Sequence, residues 1–337
     1  MRRVLTIAVI LCQVLVLASL AGRREYIAHT GRTVYLRTAP IDPRDVFRGD
    51  YVRLRYEISS VPFAKASAEV IDRYKKNTQG ATVYALLSVG EDGLAEVASL
   101  AADRPAGFFL KGELASSGEA GWSRGAVPVR YGIESYFMEQ GRGADIERMR
   151  GSRTTVQVPM EMEVAVAGDG TAVLRGHRWS TLGIGITSLT TRQTGTVPRR
   201  KSAEFRITLL NNTKQPMALV SMPGYCSMTL EPVPGSVDQA PEVPQKPFCA
   251  ELRPTQNDVF VLEAGSMGYV DIDLSDPDWN VIYQGKVQEP GELPWHERFR
   301  IVYHPPDAEA CAGLPEPKNI WHGRIATAQF HGRGNID

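Results

Sequence analysis

"DPRDVFRGDYVRLRYEIS", residues 42–59, sets the reading of the chain. After Gly49-Asp50 the apolar side chains fall at every second position. Val52, Leu54, Tyr56 and Ile58 share one face; Tyr51, Arg53, Arg55 and Glu57 share the other. A period of two belongs to a strand with one buried and one wet face. Gly49-Asp50 reads as the turn that fixes the register, with Asp50 accepting local backbone hydrogen bonds.

The same pattern recurs on both sides. Upstream, "TVYLRTA" (33–39) is a strand closed by Pro40 and Pro43. Downstream, 63–77 has Phe63, Ala66, Val70 and Tyr74 at helical spacing. Strands follow at 81–89, 94–100, 107–114 and 127–137, with a hairpin turn at Glu91-Asp92-Gly93. A short helix is expected at 141–151. A second hairpin over 154–180 turns at Gly168-Asp169-Gly170. Residues 181–201, rich in Thr and Gly and ending in Arg199-Arg200-Lys201, read as a linker. Beyond it, strands are expected at 203–212, 215–221, 226–232, 248–254, 258–264, 267–275, 297–304 and 323–331. The first two are joined by a turn from Asn211-Asn212 to Pro216, and a Pro-rich loop fills 232–247. Eight short strands over this length fit a sandwich of immunoglobulin-like size.

The fold class is therefore mainly β. A first antiparallel β domain with two short helices (30–180) precedes a linker (181–201) and an immunoglobulin-like β-sandwich (202–337). A chain of 337 residues suits two such cores. Hydrophobic residues at 43% and charged residues at 23% are ordinary for globular protein. Lys+Arg and Asp+Glu both number 38, so no basic excess argues for nucleic acid.

Residues 1–24 carry the topological signal. Arg2 and Arg3 precede an eighteen-residue apolar run, 4–21, and Arg23-Arg24-Glu25 follow. Eighteen residues rise about 27 Å, close to the thickness of a bilayer core. The run reads as one transmembrane anchor, or as a signal peptide cut before Gly22 after the small residues Ser19 and Ala21. Either reading exports the remainder. Export permits disulfides, and Cys226 with Cys249 is the expected pair. Cys311 would be left over, or would displace one of them.

Within this frame "GDYVRLRYEI" (49–58) resembles the signature of the GDYXXLXY family of bacterial membrane-anchored proteins. Gly49, Asp50, Tyr51, Leu54 and Tyr56 occupy its fixed positions. A second block, "YGIESYFMEQGRGADIE" (131–147), supplies Tyr131, Gly132 and Glu134. The resemblance covers about residues 4–180. It implies one N-terminal anchor, an extracytoplasmic β-rich domain and no assigned enzymatic activity. It favours an anchor over a cleaved signal and leaves residues 200–337 unmatched.

Motifs for chemistry are weak. Asp42, Asp45 and Asp50 could crowd a cation, but Arg44 and Arg48 are interleaved, which fits a salt-bridged turn better. A Ser–Lys peptidase dyad would need Ser59 or Ser60 with Lys65, in the wrong order along the chain. The six His form no metal-ligand spacing, and the glycines at 183 and 185 lack a phosphate-loop context. Trp279, Trp295 and Trp321 are the aromatic candidates for stacking on a sugar or anchoring a peptide; their alternative is core packing. No cofactor is implied. The expected partners are the bilayer through residues 4–21 and another envelope or membrane protein. The function expected is non-enzymatic, in protein interaction or assembly on the extracytoplasmic face. The alternative is a glycan- or peptide-binding module in the second domain, and a hydrolase is third.

Overall fold

The computed structural model describes residues 2–39, 51–116, 125–137, 156–189, 202–233 and 241–336; side chains of residues 2–5, 8, 51–53 and 137 are outside that description. The chain begins with α1 (Arg2–Thr30), followed after one glycine by β1 (Arg32–Arg37). Then come β2 (Tyr51–Arg53), β3 (Ser60–Pro62), α2 (Ala68–Lys75), β4 (Thr82–Val89), β5 (Ala95–Ala101) and β6 (Phe109–Leu114). β7 (Ala126–Arg130), β8 (Ser135–Phe137), β9 (Met160–Val166) and β10 (Ala172–Trp179) complete the first half.

The five strands β3-β7-β6-β4-β5 form one sheet, β1-β9-β10 a second, and β2-β8 a small third. All pairings of these named strands are antiparallel. A shared core lies between the first two sheets, with Leu36, Val83, Leu110, Val127 and Met162 fully buried. The two predicted hairpins are present. At the first, Gly93 has φ +77° and Asp92 Oδ1 accepts from Leu94 N–H at 2.9 Å. At the second, Gly170 has φ +83°.

The opening strand is shorter than its alternation suggests. Pairing of β2 with β8 ends at Arg53, a single bridge joins Tyr56 to Thr38, and a 3₁₀ turn covers Glu57–Ser59. Leu54, Tyr56 and Ile58 are nevertheless all buried. The period of two thus reports burial, and the backbone bends to follow the core. The expected helix over 63–77 splits into a 3₁₀ turn at Phe63–Lys65 and α2, because Ser67 caps α2 by accepting from Val70 N–H. The helix expected at 141–151 lies outside the described residues.

The second half contains β11 (Leu182–Ser188), β12 (Glu204–Asn211), β13 (Met217–Val220), β14 (Met228–Val233) and α3 (Pro247–Glu251). It continues with β15 (Val259–Leu262), β16 (Met267–Asp273), β17 (Val281–Tyr283), β18 (Lys286–Gln288), β19 (Arg298–Tyr303), α4 (Ala308–Cys311) and β20 (Ile325–Ala326). The sheets are β11-β12-β16, β14-β19-β20, β13-β15 and β17-β18. They share a second core around Phe205, Trp279, Phe299, Tyr303 and Phe330.

Three expectations are corrected here. Residues 182–188 are a strand and not a linker. Leu182, Ile184 and Ile186 face the core, and a side chain at Gly183 or Gly185 would press on Val156 at 3.1 Å. The glycines serve close packing here, not chain flexibility. Residues 248–254 are not a strand: Pro247 opens α3. Strands 203–212 and 215–221 do not pair with each other, since β12 joins β11 and β16 while β13 joins β15. The intervening turn is real. Buried Asn211 donates to the carbonyls of Gln215 and Leu262 and accepts from Thr213 N–H. It lifts the chain into another sheet.

Among the described residues no helix is long and apolar enough to cross a membrane.

Candidate functional site

The two signature blocks meet. Strand β2 pairs with β8 through Tyr51↔Phe137, Val52↔Tyr136 and Arg53↔Ser135. Beyond it, Leu54 N–H donates to the Glu134 carbonyl at 2.7 Å. The Tyr56 hydroxyl donates to the Ile133 carbonyl at 2.7 Å, and the Tyr131 hydroxyl donates to the Ile58 carbonyl at 2.9 Å. Each block therefore sends one buried phenol to the backbone of the other. The Glu134 side chain accepts from Tyr131 N–H at 2.6 Å and closes the bend. Gly132 sits in that bend at φ +77°, a conformation that disfavours any side chain.

This arrangement is structural chemistry. Burial, reinforced by the Glu134 charge, raises both phenols far above the ordinary tyrosine range. Both remain protonated donors and cannot serve as bases near neutral pH. Gly49 and Asp50 lie outside the described residues, as do Asp42, Asp45 and the Arg199-Arg200-Lys201 run. The Lys65 ammonium donates to the Val97 carbonyl at 2.8 Å. Among the described residues no group of His, Cys, Asp and Glu is placed to hold a metal ion.

A second constellation was not foreseen. Arg37 and Glu161 pair at 2.8 Å, each side chain 4% exposed, and Arg178 meets the other Glu161 oxygen at 2.8 Å. Arg37 also donates to the Arg324 carbonyl, across to the second half. Arg324 in turn reaches Glu96 at 3.5 Å and Glu231 at 2.6 Å, and Arg300 joins Glu231 at 3.0 Å. Burial pushes Glu231 up, but Arg300 and Arg324 outweigh it and leave the carboxyl below its usual range. The network bolts the two halves together. Its one sequence signal was Glu161 within "PMEMEVAV", a charge set between Met160 and Met162 on an otherwise largely apolar strand.

The tryptophans do not form a row. Trp279 is 1% exposed and lies in the second core under Tyr225, with the Lys246 ammonium 4.5 Å from its ring. Trp321 is half-buried, stacks on Tyr303 and donates to Thr181 Oγ1 at 3.0 Å. Of these three, Trp295 alone is well exposed, at 53%, against the ring of buried His331. Arg333 N–H donates to His331 Nδ1, so Nε2 carries the proton and donates to the Pro294 carbonyl at 3.2 Å. Burial and the nearby Arg298 and Arg333 charges hold this histidine below its usual range.

Next to it Glu297 is fully buried, with neither carboxyl oxygen hydrogen-bonded. Burial raises its pKa, and His296, 3.2 Å away, offsets part of that rise. Cys226 and Cys249 form the expected disulfide, with Cα atoms 5.4 Å apart. Cys311 is free and buried, and Cys12 is free and exposed.

Residues 13–176 match the model of the GDYXXLXY protein family, and the remainder of the chain is outside the match. No curated protein and no solved structure matches the chain.

Proposed function

With residues 13–176 carrying the GDYXXLXY family domain, we propose that this is a membrane-anchored envelope protein. Its first domain and a second β-sandwich of immunoglobulin-like size project on the extracytoplasmic face. There they act without catalysis, in protein interaction or assembly.

The observation that carries the reading is the surface of α1. Nine large apolar side chains between Ile7 and Leu20 are 51–69% exposed. An apolar helical surface of this kind is stable only when something covers it. Lipid suits residues 4–21, an eighteen-residue run with fifteen apolar side chains between charged flanks. The projecting part offers a protein-binding edge. Among the described residues β16 has a strand partner on one side only, and Val261, Met267 and Tyr269 are exposed on β15 and β16. Edge strands of this type accept an added strand from a partner.

Two measurements test the two parts. Extraction of cell membranes at alkaline pH should leave the full chain in the pellet; release into the supernatant removes the anchor. A photo-crosslinking residue at Tyr269 in the full chain should trap a specific envelope protein, while one at Lys111 on β6 should not. Equal trapping at both sites would refute a partner surface at β16. The alternative, a ligand module, is favoured only by exposed Trp295 on His331. Quenching of Trp295 fluorescence by a glycan or peptide, lost in Trp295→Phe, would support it.

A further inference from the structure

The end of α1 is built into the first domain without a hinge. The helix runs unbroken to Thr30, and β1 starts two residues later. Ile27 is buried against Ala165 on β9 and Val173 on β10. Gly31 makes the junction tight: a side chain there would collide with the Ile27 carbonyl and with Val166 and Ala165 of β9. The irregularity between Leu174 and Gly176 coincides with Arg175, which donates to the Ala28 carbonyl and, at 2.6 Å, to Thr33 Oγ1. Further back along the helix, Arg23 binds Asp169 at 2.7 Å, and Asp169 lies in the β9–β10 turn. That turn is tied to the β5–β6 connection, because Arg104 donates to the Gly168 carbonyl at 2.7 Å.

These contacts fix a height. Arg23 lies two residues beyond Ala21, the end of the apolar run, so it is about 3 Å further along the axis. Whatever touches Arg23 sits within a side chain's length of where that run ends. We infer that the β9–β10 turn and the β5–β6 connection rest on the phospholipid headgroups beside the helix. The first domain is held there as one rigid piece with α1. The inference rests on the anchor reading and adds the lipid-contacting surface of the domain. The groups facing the headgroups are Arg24, Asp103 and Arg104, with the Arg23–Asp169 pair between them. All five are exposed. Their charges are mixed, so the contact suits headgroups carrying both signs and needs no excess of anionic lipid. Tyr26, 68% exposed just past Arg24, stands where interfacial aromatics collect.

The test uses the full chain with Cys12→Ser, which leaves buried Cys311 and the disulfide untouched. A bimane label is placed at Gly168→Cys, Ala106→Cys or Val287→Cys. Gly168 has open space for a side chain, and Ala106 and Val287 are exposed. The labelled proteins are reconstituted in phosphatidylcholine vesicles bearing headgroup spin label, with and without phosphatidylglycerol. Flotation is scored first. The expected result is co-flotation, quenching at 168 and 106 several-fold above that at 287, and little change with phosphatidylglycerol. Co-flotation with equal quenching at all three sites overturns the docked surface and leaves the anchor standing. Quenching at 168 and 106 that appears only with phosphatidylglycerol overturns the mixed-charge contact. Failure to float refutes the anchor, and this inference with it.

Discussion

The two halves of the chain close their cores by different means. In the first half, two stretches about eighty residues apart are laced by buried phenols and a tight bend, with no disulfide. In the second half, Cys226–Cys249 ties one margin, while Asn211 and His331 fix turns by buried side-chain hydrogen bonds. The first solution needs particular residues at fixed spacing, so it shows as a motif. The second spreads the same work over single residues that meet only in space.

The contrast can be broken in order of size. Glu161→Ala leaves Arg37 buried without its partner, and removing one member of a buried pair costs about 3–5 kcal/mol. Thermal unfolding in detergent should show the largest fall here, with both halves affected because Arg37 also reaches Arg324. If only the first half melts earlier, the network does not couple them. Cys226→Ser with Cys249→Ser removes a crosslink spanning 23 positions, worth about 3 kcal/mol in the chain-entropy model. That loss should be confined to the second half, as protease sensitivity would report.

Tyr56→Phe strands the buried Ile133 carbonyl and should cost about 1–2 kcal/mol in the first half. A neutral result would mean that the phenol packs and does not lock. Smaller still is the pH response of the second half. The unfolded chain protonates histidine near 6.5, whereas His331 in the fold holds its proton less tightly. Stability should therefore fall as pH drops below 6.5. A further loss should follow as pH falls below about 4.5, where the unfolded chain's glutamate takes up a proton that Glu231, held by Arg300 and Arg324, still resists. His331→Gln should flatten the first of these steps in a melting-temperature profile. Glu297→Gln should have the least effect, raising the melting temperature slightly at pH 8, because it removes a buried carboxyl whose nearby cationic partner, His296, is uncharged there.

Legibility followed range. Leu54, Tyr56 and Ile58 were readable as core because burial alternates along any chain that skirts a sheet, even where strand pairing stops. Tyr131, Gly132 and Glu134 were readable as a block, but their contact with Tyr56 and Ile58 was not. The strand at 182–188 is hidden by its composition, because glycine is as common in linkers as in packed strands; only Val156 and Val158, pressed against Gly183 and Gly185, explain why side chains are excluded. The β17–β18 hairpin turns on Gln284-Gly285, at φ +53° and +73°; Gly285 is a turn residue, but strands of three residues on each side carry no clear alternation.

The sequence alone determined the mainly β class, the apolar N-terminal run and the signature spacing, and narrowed the disulfide to three cysteines. Each rests on local periodicity or on a residue type with few possible uses. The tertiary structure decided which strands pair, how β11 joins the second core, and how Arg37, Glu161, Arg324 and Glu231 converge. Such contacts depend on which surfaces meet after the chain has crossed between sheets. A charge that looks solvated along the sequence is then buried and paired across two halves.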